Sequence, residues 1–275
     1  MAHPDEAFVK VTAPGGQEYL VVEALDASFP VKTFFTTRNG GVSTGPYRSQ
    51  NMGFATDDDA DDVKENRRRF FEHIGGAGYI AAVPVQVHGS EIVQVRTYDA
   101  DVLRDVHELV FPHTDALVTD EKNVILTSLH ADCIPVWLYD PVHHAAGIAH
   151  AGWRGTRADI AAATARRMGE LYGSAPEDMV AVIGPGIGYE CFEVGREVVE
   201  EFTDMIGELG ALAHDDGNGK AHLDLKGINQ RLLERIGVEK IMVSGLCTVC
   251  EPEIFYSYRR DGAATGRMCA GICLL

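Results

Sequence analysis

ALVTDEKNVILTSLHADCIPVWLYDPVHHAAGIAHAGWRGT (residues 116–156) contains four short runs of β-forming, apolar residues, 116–119, 124–129, 135–139 and 145–149, separated by Asp, Asn, Pro and His-rich turns. The gaps between them are too short for the dozen or more residues that a parallel crossover needs, so much of the pairing is expected to be antiparallel or mixed. Upstream, residues 84–87 and 92–96 extend the strand-rich region. Downstream the period changes: residues 157–172 place Ile160, Ala163, Met168 and Leu171 on one broad helical face. A strand over 179–183 then runs into Gly184-Pro185-Gly186. A helix near 195–206 follows, then a helix over 225–236 presenting Ile228, Leu232 and Ile236, a strand over 240–244 and a closing stretch at 255–258. Toward the N-terminus, residues 36–54 are rich in Gly, Asn, Ser and Thr and read as loop. The acidic run 57–62 reads as the solvated start of a helix continuing to His73, where the dipole favours negative charge. No internal repeat, low-complexity tract or Pro/Ser linker divides the chain. The simplest expectation is one α+β domain over residues 1–275.

The bulk numbers narrow the function. Hydrophobic residues at 45% and charged residues at 24% describe an ordinary folded protein rather than a disordered or fibrous one. The net charge of -17 argues against nonspecific binding to nucleic acid or anionic lipid, and any anionic substrate must meet a local basic pocket. The first ten residues carry no cationic segment followed by an apolar run, and no stretch approaches the roughly 20 apolar residues of a membrane helix, so a cytoplasmic protein is expected. Six cysteines then stay reduced and open to metal ligation or thiolate chemistry.

The chemistry-bearing residues sit where β-like runs meet turns: Gln86-Val87-His88-Gly89, Ala131-Asp132-Cys133 and His150-Ala151-Gly152-Trp153-Arg154-Gly155. Imidazole and thiolate are ligands that zinc prefers, and three of them, His88, Cys133 and His150, leave the open position of a catalytic site. A soft sulfur ligand also admits copper as Cu(I). On spacing alone, each of the three reads equally as an ordinary core or surface residue, since no finger or His-Glu-x-x-His pattern joins them. Cys247-Thr248-Val249-Cys250 has zinc-knuckle or redox spacing but lacks a second pair, and reads as a strand end with partly buried thiols. His143 and His144 fall in a turn, His130 stands close to Cys133, and His113 is a candidate for an orienting hydrogen bond.

Taken together, Thr37-Arg38-Asn39-Gly40-Gly41-Val42-Ser43, Asn51-Met52-Gly53, Gln86-Val87-His88-Gly89, Asp115-Ala116-Leu117-Val118-Thr119, Ala131-Asp132-Cys133-Ile134-Pro135, His150 to Thr156, Cys191-Phe192-Glu193-Val194-Gly195, Cys247-Thr248, Ser257-Tyr258-Arg259-Arg260 and Thr265-Gly266-Arg267 form a pattern. Over nearly its whole length the chain resembles the laccase-domain family, also called the multicopper polyphenol oxidoreductase or purine nucleoside phosphorylase family. The resemblance implies a four-layer α/β/β/α fold with mixed sheets and one zinc per chain on His88, Cys133 and His150. It also implies phosphorolysis of adenosine, inosine and methylthioadenosine, with adenosine deamination as a second activity. For that chemistry Arg38 and Arg154 are candidate phosphate ligands, and Asn51 and Gln86 candidate readers of sugar or base. Asp132, His130 or Glu91 is the candidate acid, and Glu91 the candidate proton shuttle in deamination. Three rivals use the same residues: a cysteine hydrolase or deamidase built on Cys133 and His150, a copper-dependent polyphenol oxidase, and a purine- or partner-binding protein without turnover.

Overall fold

Every side chain of Ile134–Asp140 is buried, yet successive residues face different partners. Ile134, Val136 and Leu138 pack among helical residues such as Ile160, Met168 and Phe202, whereas Trp137 and Tyr139 pack against residues of a second sheet. A strand buried on both faces needs a layer on each side. The computed structural model, which describes residues 7–76, 78–97, 103–105 and 107–275, supplies both layers.

One sheet has eight strands, numbered here in chain order: β1 (Phe8–Thr12), β2 (Glu18–Val22), β3 (Val31–Thr36), β4 (Ile80–Val85), β6 (Leu103–Asp105), β7 (Glu108–Pro112), β9 (Val124–His130) and β17 (Met268–Leu274). Their spatial order is β1-β2-β3-β17-β9-β4-β7-β6. The second sheet, of six strands, contains β5 (Ile92–Gln94), β8 (Ala116–Thr119), β10 (Ile134–Asp140), β11 (Ala145–Ala151), β12 (Val180–Ile183) and β16 (Lys240–Val243), in the order β16-β12-β10-β11-β8-β5. Both are mixed: β4 runs parallel to β7 and β9, β12 to β16 and β5 to β8, while the β9, β10 and β11 run pairs antiparallel with its other neighbours. A small third sheet joins β13 (Glu193–Gly195), β14 (Ala213–Asp215) and β15 (Lys220–Leu223).

The two large sheets face each other across Phe35, Leu126, Ala270 and Ile272 from one side and Trp137, Tyr139 and Ile148 from the other. The indole N–H of Trp137 crosses this interface to the carbonyl of Gly271 at 2.9 Å, so the one polar atom of that ring is satisfied inside the apolar layer. The short α1 (Glu23–Asp26) and the long α2 (Ala60–Gly75) belong to the eight-stranded half. Phe70, Phe71 and Ile74 of α2 cover the outer face through Phe34, Ile125 and Cys269. The other outer face is covered by α3 (Trp153–Arg157), α4 (Ile160–Tyr172), α5 (Arg196–Ile206) and α6 (Leu225–Arg235); a short α7 (Tyr258–Asp261) lies near the chain's end. The result is a single α+β domain in four layers, helix, sheet, sheet, helix, as the sequence resemblance implies. Among the described residues no helix is long and apolar enough to cross a membrane.

Several expected boundaries move. The strand expected at 84–87 runs instead over Ile80–Val85, leaving Gln86, Val87 and His88 in the turn beyond it. The helix expected over 157–172 begins instead at Ile160 as α4, because Asp159, whose φ of 60° is left-handed, separates it from α3, which ends at Arg157. The acidic run does open a helix: Asp59 caps α2 by accepting the N–H of Asp61 at 2.9 Å. Residues 255–258 form no strand; the closing strand is β17, seated between β3 and β9.

Candidate active site

Three chain segments end at one place. The turn after β4 carries His88, the short connection from β9 to β10 carries Cys133, and the last turn of β11 carries His150. One ligand atom from each lies within 4.8 Å of the others. The connections are under local constraint: His88 has φ 60° and Asp132 φ 92°, conformations that L-residues adopt at a cost and that here aim the neighbouring side chains inward. A Cβ on Gly152 would stand 2.9 Å from Cys133 Sγ and 3.2 Å from His88 Cδ2, so this position accommodates the site only without a side chain.

Asp115 organises the group. Its buried carboxylate accepts the N–H groups of Val87, His88 and Gly89 at 3.1, 3.0 and 2.8 Å, fixing the turn that presents His88. It also meets His150 Nδ1 at 2.9 Å, which leaves Nε2 of that ring for a ligand role. Burial alone would raise the Cys133 thiol, but the charge of His150 and the hydrogen bonds from His150 and His88 bring it down to about 6. Burial opposes charge on His150 too, and the Cys133 thiolate together with Asp115 holds its pKa up to about 9. A thiolate stabilised by two imidazoles is the donor set of a zinc-type ion, and a bound dication would take over the charge that the His150 proton supplies. The residues therefore fit a metal, which His88, Cys133 and His150 would hold.

The trio opens on a cavity of about 700 Å³. Phe54, Trp153 and Phe192 give it apolar wall, and Arg67, Arg259 and Arg267 bring positive charge to it. In a chain of net charge -17, these arginines are the local basic pocket that an anionic substrate requires. Arg67 is already committed to Glu108 at 2.8 Å. Arg267 is held at its backbone N–H by Asn51 Oδ1 at 2.8 Å, and Arg259 at its backbone N–H by Asp132 Oδ2 at 2.6 Å.

Comparison with known proteins places the chain among relatives. Residues 32–275 match the family described as multi-copper polyphenol oxidoreductase laccase. The chain belongs to this family. Among its relatives, a protein of Deinococcus radiodurans named purine nucleoside phosphorylase is 42% identical over 241 residues, covering 87% of this chain and 88% of that one. The Bacillus subtilis purine nucleoside phosphorylase YlmD is 37% identical over 236 residues, covering 85% of each chain. The solved structure of Bacillus licheniformis hypothetical protein YfiH superposes with a TM-score of 0.87 at 35% identity, covering 94% of this chain and 96% of that one.

In this laccase-family chain the other sequence-derived site residues are dispersed. Gln86 lines the cavity, but its amide is bound to the backbone of Leu129 at 3.0 and 2.7 Å. Asn51 is buried, and its amide serves Gly53, Thr56, Asp58 and Arg267 rather than the cavity. Arg38 donates to the carbonyls of Arg48 and Pro252 and is not among the lining residues; Arg154 is exposed and stacks on Trp153, 4.2 Å from its ring centroid. Asp132 lines the cavity, with one oxygen accepting from Thr248 Oγ1 at 2.6 Å and the other from Arg259. Glu91 is exposed and outside the lining. Buried His130 joins Ser128 Oγ at 2.6 Å and the Cys133 carbonyl at 3.0 Å, and burial beside His150 holds it well below the usual imidazole range, hence neutral. The orienting partner expected of His113 is its near neighbour Asp115. Arg259 and Arg267 stand within two of the motifs that carry the resemblance, but no role at the site was expected of them; their place beside the cavity follows from the structure, where Asp132 and Asn51 hold their backbone N–H groups.

Proposed function

We propose that the chain is a metal-dependent purine nucleoside phosphorylase acting on adenosine, inosine and methylthioadenosine. The observation that carries this reading is that the His88, Cys133 and His150 trio lines the same cavity as Arg259 and Arg267, and that this cavity is of a size suited to a nucleoside with phosphate. The names of the relatives support the same reaction class.

Phosphorolysis breaks the C1′–N9 bond as a C1′–O bond to phosphate forms. The proton balance closes within the reactants: hydrogen phosphate gives up its proton on becoming the sugar ester, and the departing purine nitrogen gains one. Arg267 and Arg259 supply planar donor forks that hold and orient the phosphate. Asp132 acts as a positioning residue that fixes the backbone of Arg259. Phe54, Trp153 and Phe192 exclude water and give the purine an apolar seat. His88, Cys133 and His150 would hold one zinc, which when bound supplies Lewis-acid polarisation of an oxygen on sugar or phosphate. Adenosine deamination is the second activity included in the proposal: water adds at C6 of the purine, the C6–N bond breaks and ammonia leaves, giving inosine.

The test is an inosine plus phosphate assay beside elemental analysis, with and without a chelator. Phosphate-dependent release of hypoxanthine and ribose 1-phosphate is expected, with loss of activity and of one metal equivalent in Cys133→Ala. Full turnover by metal-free Cys133→Ala would sink the mechanism. Metal-free, active wild-type protein whose Cys133 reacts quickly with iodoacetamide would instead establish the cysteine hydrolase, and copper with phenol oxidation would establish the oxidase. Nucleoside binding without turnover would establish a binding protein.

A further inference from the structure

Outside the cavity, the structure gathers a second set of soft ligands from segments far apart in sequence. Cys191 ends the short helical turn Tyr189–Cys191 after β12, while Cys247 and Cys250 bracket a tight turn after β16. The three sulfurs lie within 4.8 Å of one another, and Cys191 Sγ is 3.4 Å from Cys250 Sγ. Two thiolates on a tetrahedral ion with metal–sulfur bonds of about 2.3 Å are about 3.8 Å apart, so the observed spacing needs little adjustment. A disulfide would require closing one pair to about 2.0 Å and would leave the third sulfur unused.

The surroundings are built for sulfur. The N–H of Gly188 points at Cys247 Sγ from 3.2 Å. A Cβ at Gly188 would lie 3.2 Å from both Cβ and Sγ of Cys247, tighter than an ordinary contact, so the absent side chain lets the backbone reach the sulfur. The backbone N–H groups of Cys250 and Val249 are turned toward the same sulfur. Two cysteines three residues apart, with backbone donors folded onto the first sulfur, form half of a metal knuckle, and Cys191 supplies the third ligand from across the fold.

We propose that Cys191, Cys247 and Cys250 form a second metal site, an all-thiolate site for a soft d10 cation such as Zn2+, which clamps the segments forming one wall of the cavity. Cys191 adjoins Phe192, and its carbonyl accepts from Arg259 Nη1 at 3.0 Å. Arg260 Nη1 donates to the carbonyl of Thr248 at 2.8 Å, within the Cys247 to Cys250 turn. Cross-linking the three sulfurs therefore fixes both cavity-lining neighbours, Phe192 and Arg259, without touching substrate. The proposal is independent of the reaction carried out in the cavity.

The full chain with Cys133→Ala empties the first site and isolates the second. Loaded with Co2+ under reducing conditions, it is expected to bind one equivalent and show a thiolate-to-cobalt charge-transfer band. Adding Cys191→Ser and Cys250→Ser should remove both. The wild-type chain provides a control that needs no substitution: with Cd2+ bound, Cys191 and Cys250 should resist iodoacetamide at least tenfold longer than without metal, as read by peptide mass spectrometry. Equal alkylation rates in the two states overturn the proposal. So does a Cys133→Ala protein that takes up no cobalt, or a Cys191–Cys250 disulfide that persists under reductant in place of metal uptake.

Discussion

Asp115 shows how one carboxylate can set a whole site. Three backbone N–H groups and an imidazole share its two oxygens, so it positions His88 through the chain and His150 through the ring. Asp115→Asn is expected to weaken metal affinity about 10- to 100-fold with little change in circular dichroism. Competition titration with a chromogenic chelator measures it, and an unchanged affinity would remove Asp115 from this role. At Arg267, lysine keeps the charge and loses the fork; Arg267→Lys is expected to raise the KM for phosphate about tenfold while leaving metal content and the KM for nucleoside unchanged. The trio was picked out in the sequence as imidazole and thiolate beside turns, but spacing alone did not join the three residues, and the family resemblance carried their selection; the structure brings them together. The cavity arginines were not picked out. Arg38 and Arg154 looked suitable from their Gly-rich and His-bearing neighbours, but neither lines the cavity, whereas Arg259 and Arg267 do.

Among elements, legibility followed pattern. β8 was read at its bounds and β9, β10 and β11 within two residues, because turn residues frame each run. β17, Met-Cys-Ala-Gly-Ile-Cys-Leu, was missed: it is buried on both faces, so alternation vanishes, and Gly and Cys hold no strong β preference. α1 carries a test of its own. Asp26 accepts both the N–H and the hydroxyl of Thr33 through Oδ1 at 2.9 and 2.6 Å, tying α1 to β3. Burial pushes its carboxyl up to about 6 even though the Thr33 hydrogen bonds and Lys32 pull it down. The folded pKa exceeds the unfolded value of about 3.9, so the folded state binds the proton more tightly, and Asp26 costs stability as the pH rises from about 4 through about 6. Asp26→Asn keeps an accepting oxygen without the charge. It is expected to match the wild-type chain near pH 4 and to exceed it at pH 7.5 in urea unfolding. An equal difference at both pH values would contradict this account.

Across the whole molecule, the candidate metal ligands come from both large sheets: His88 follows β4 of the eight-stranded sheet and His150 ends β11 of the six-stranded one, with Cys133 in the connection between them. An ion held there ties the two halves together and binds the folded chain alone. At a free concentration a thousandfold above the Kd, such binding stabilises by about 4 kcal/mol. Stripping the metal with a chelator should lower Tm by on the order of 10 °C in calorimetry. An unchanged Tm would show that the sheets hold their registry without it.

The position of β17 bears on how the molecule comes to exist. It pairs with β3 and β9 over nearly its full length, yet it is separated from β9 by about half of the chain and from β3 by most of it. As the polypeptide leaves the ribosome, β3 and β9 must wait with an unfilled slot between them, their apolar faces open, until residues 268–274 emerge. The nascent protein therefore passes through a long period in which its largest sheet has a gap at the centre, and that is when a chaperone has most to protect.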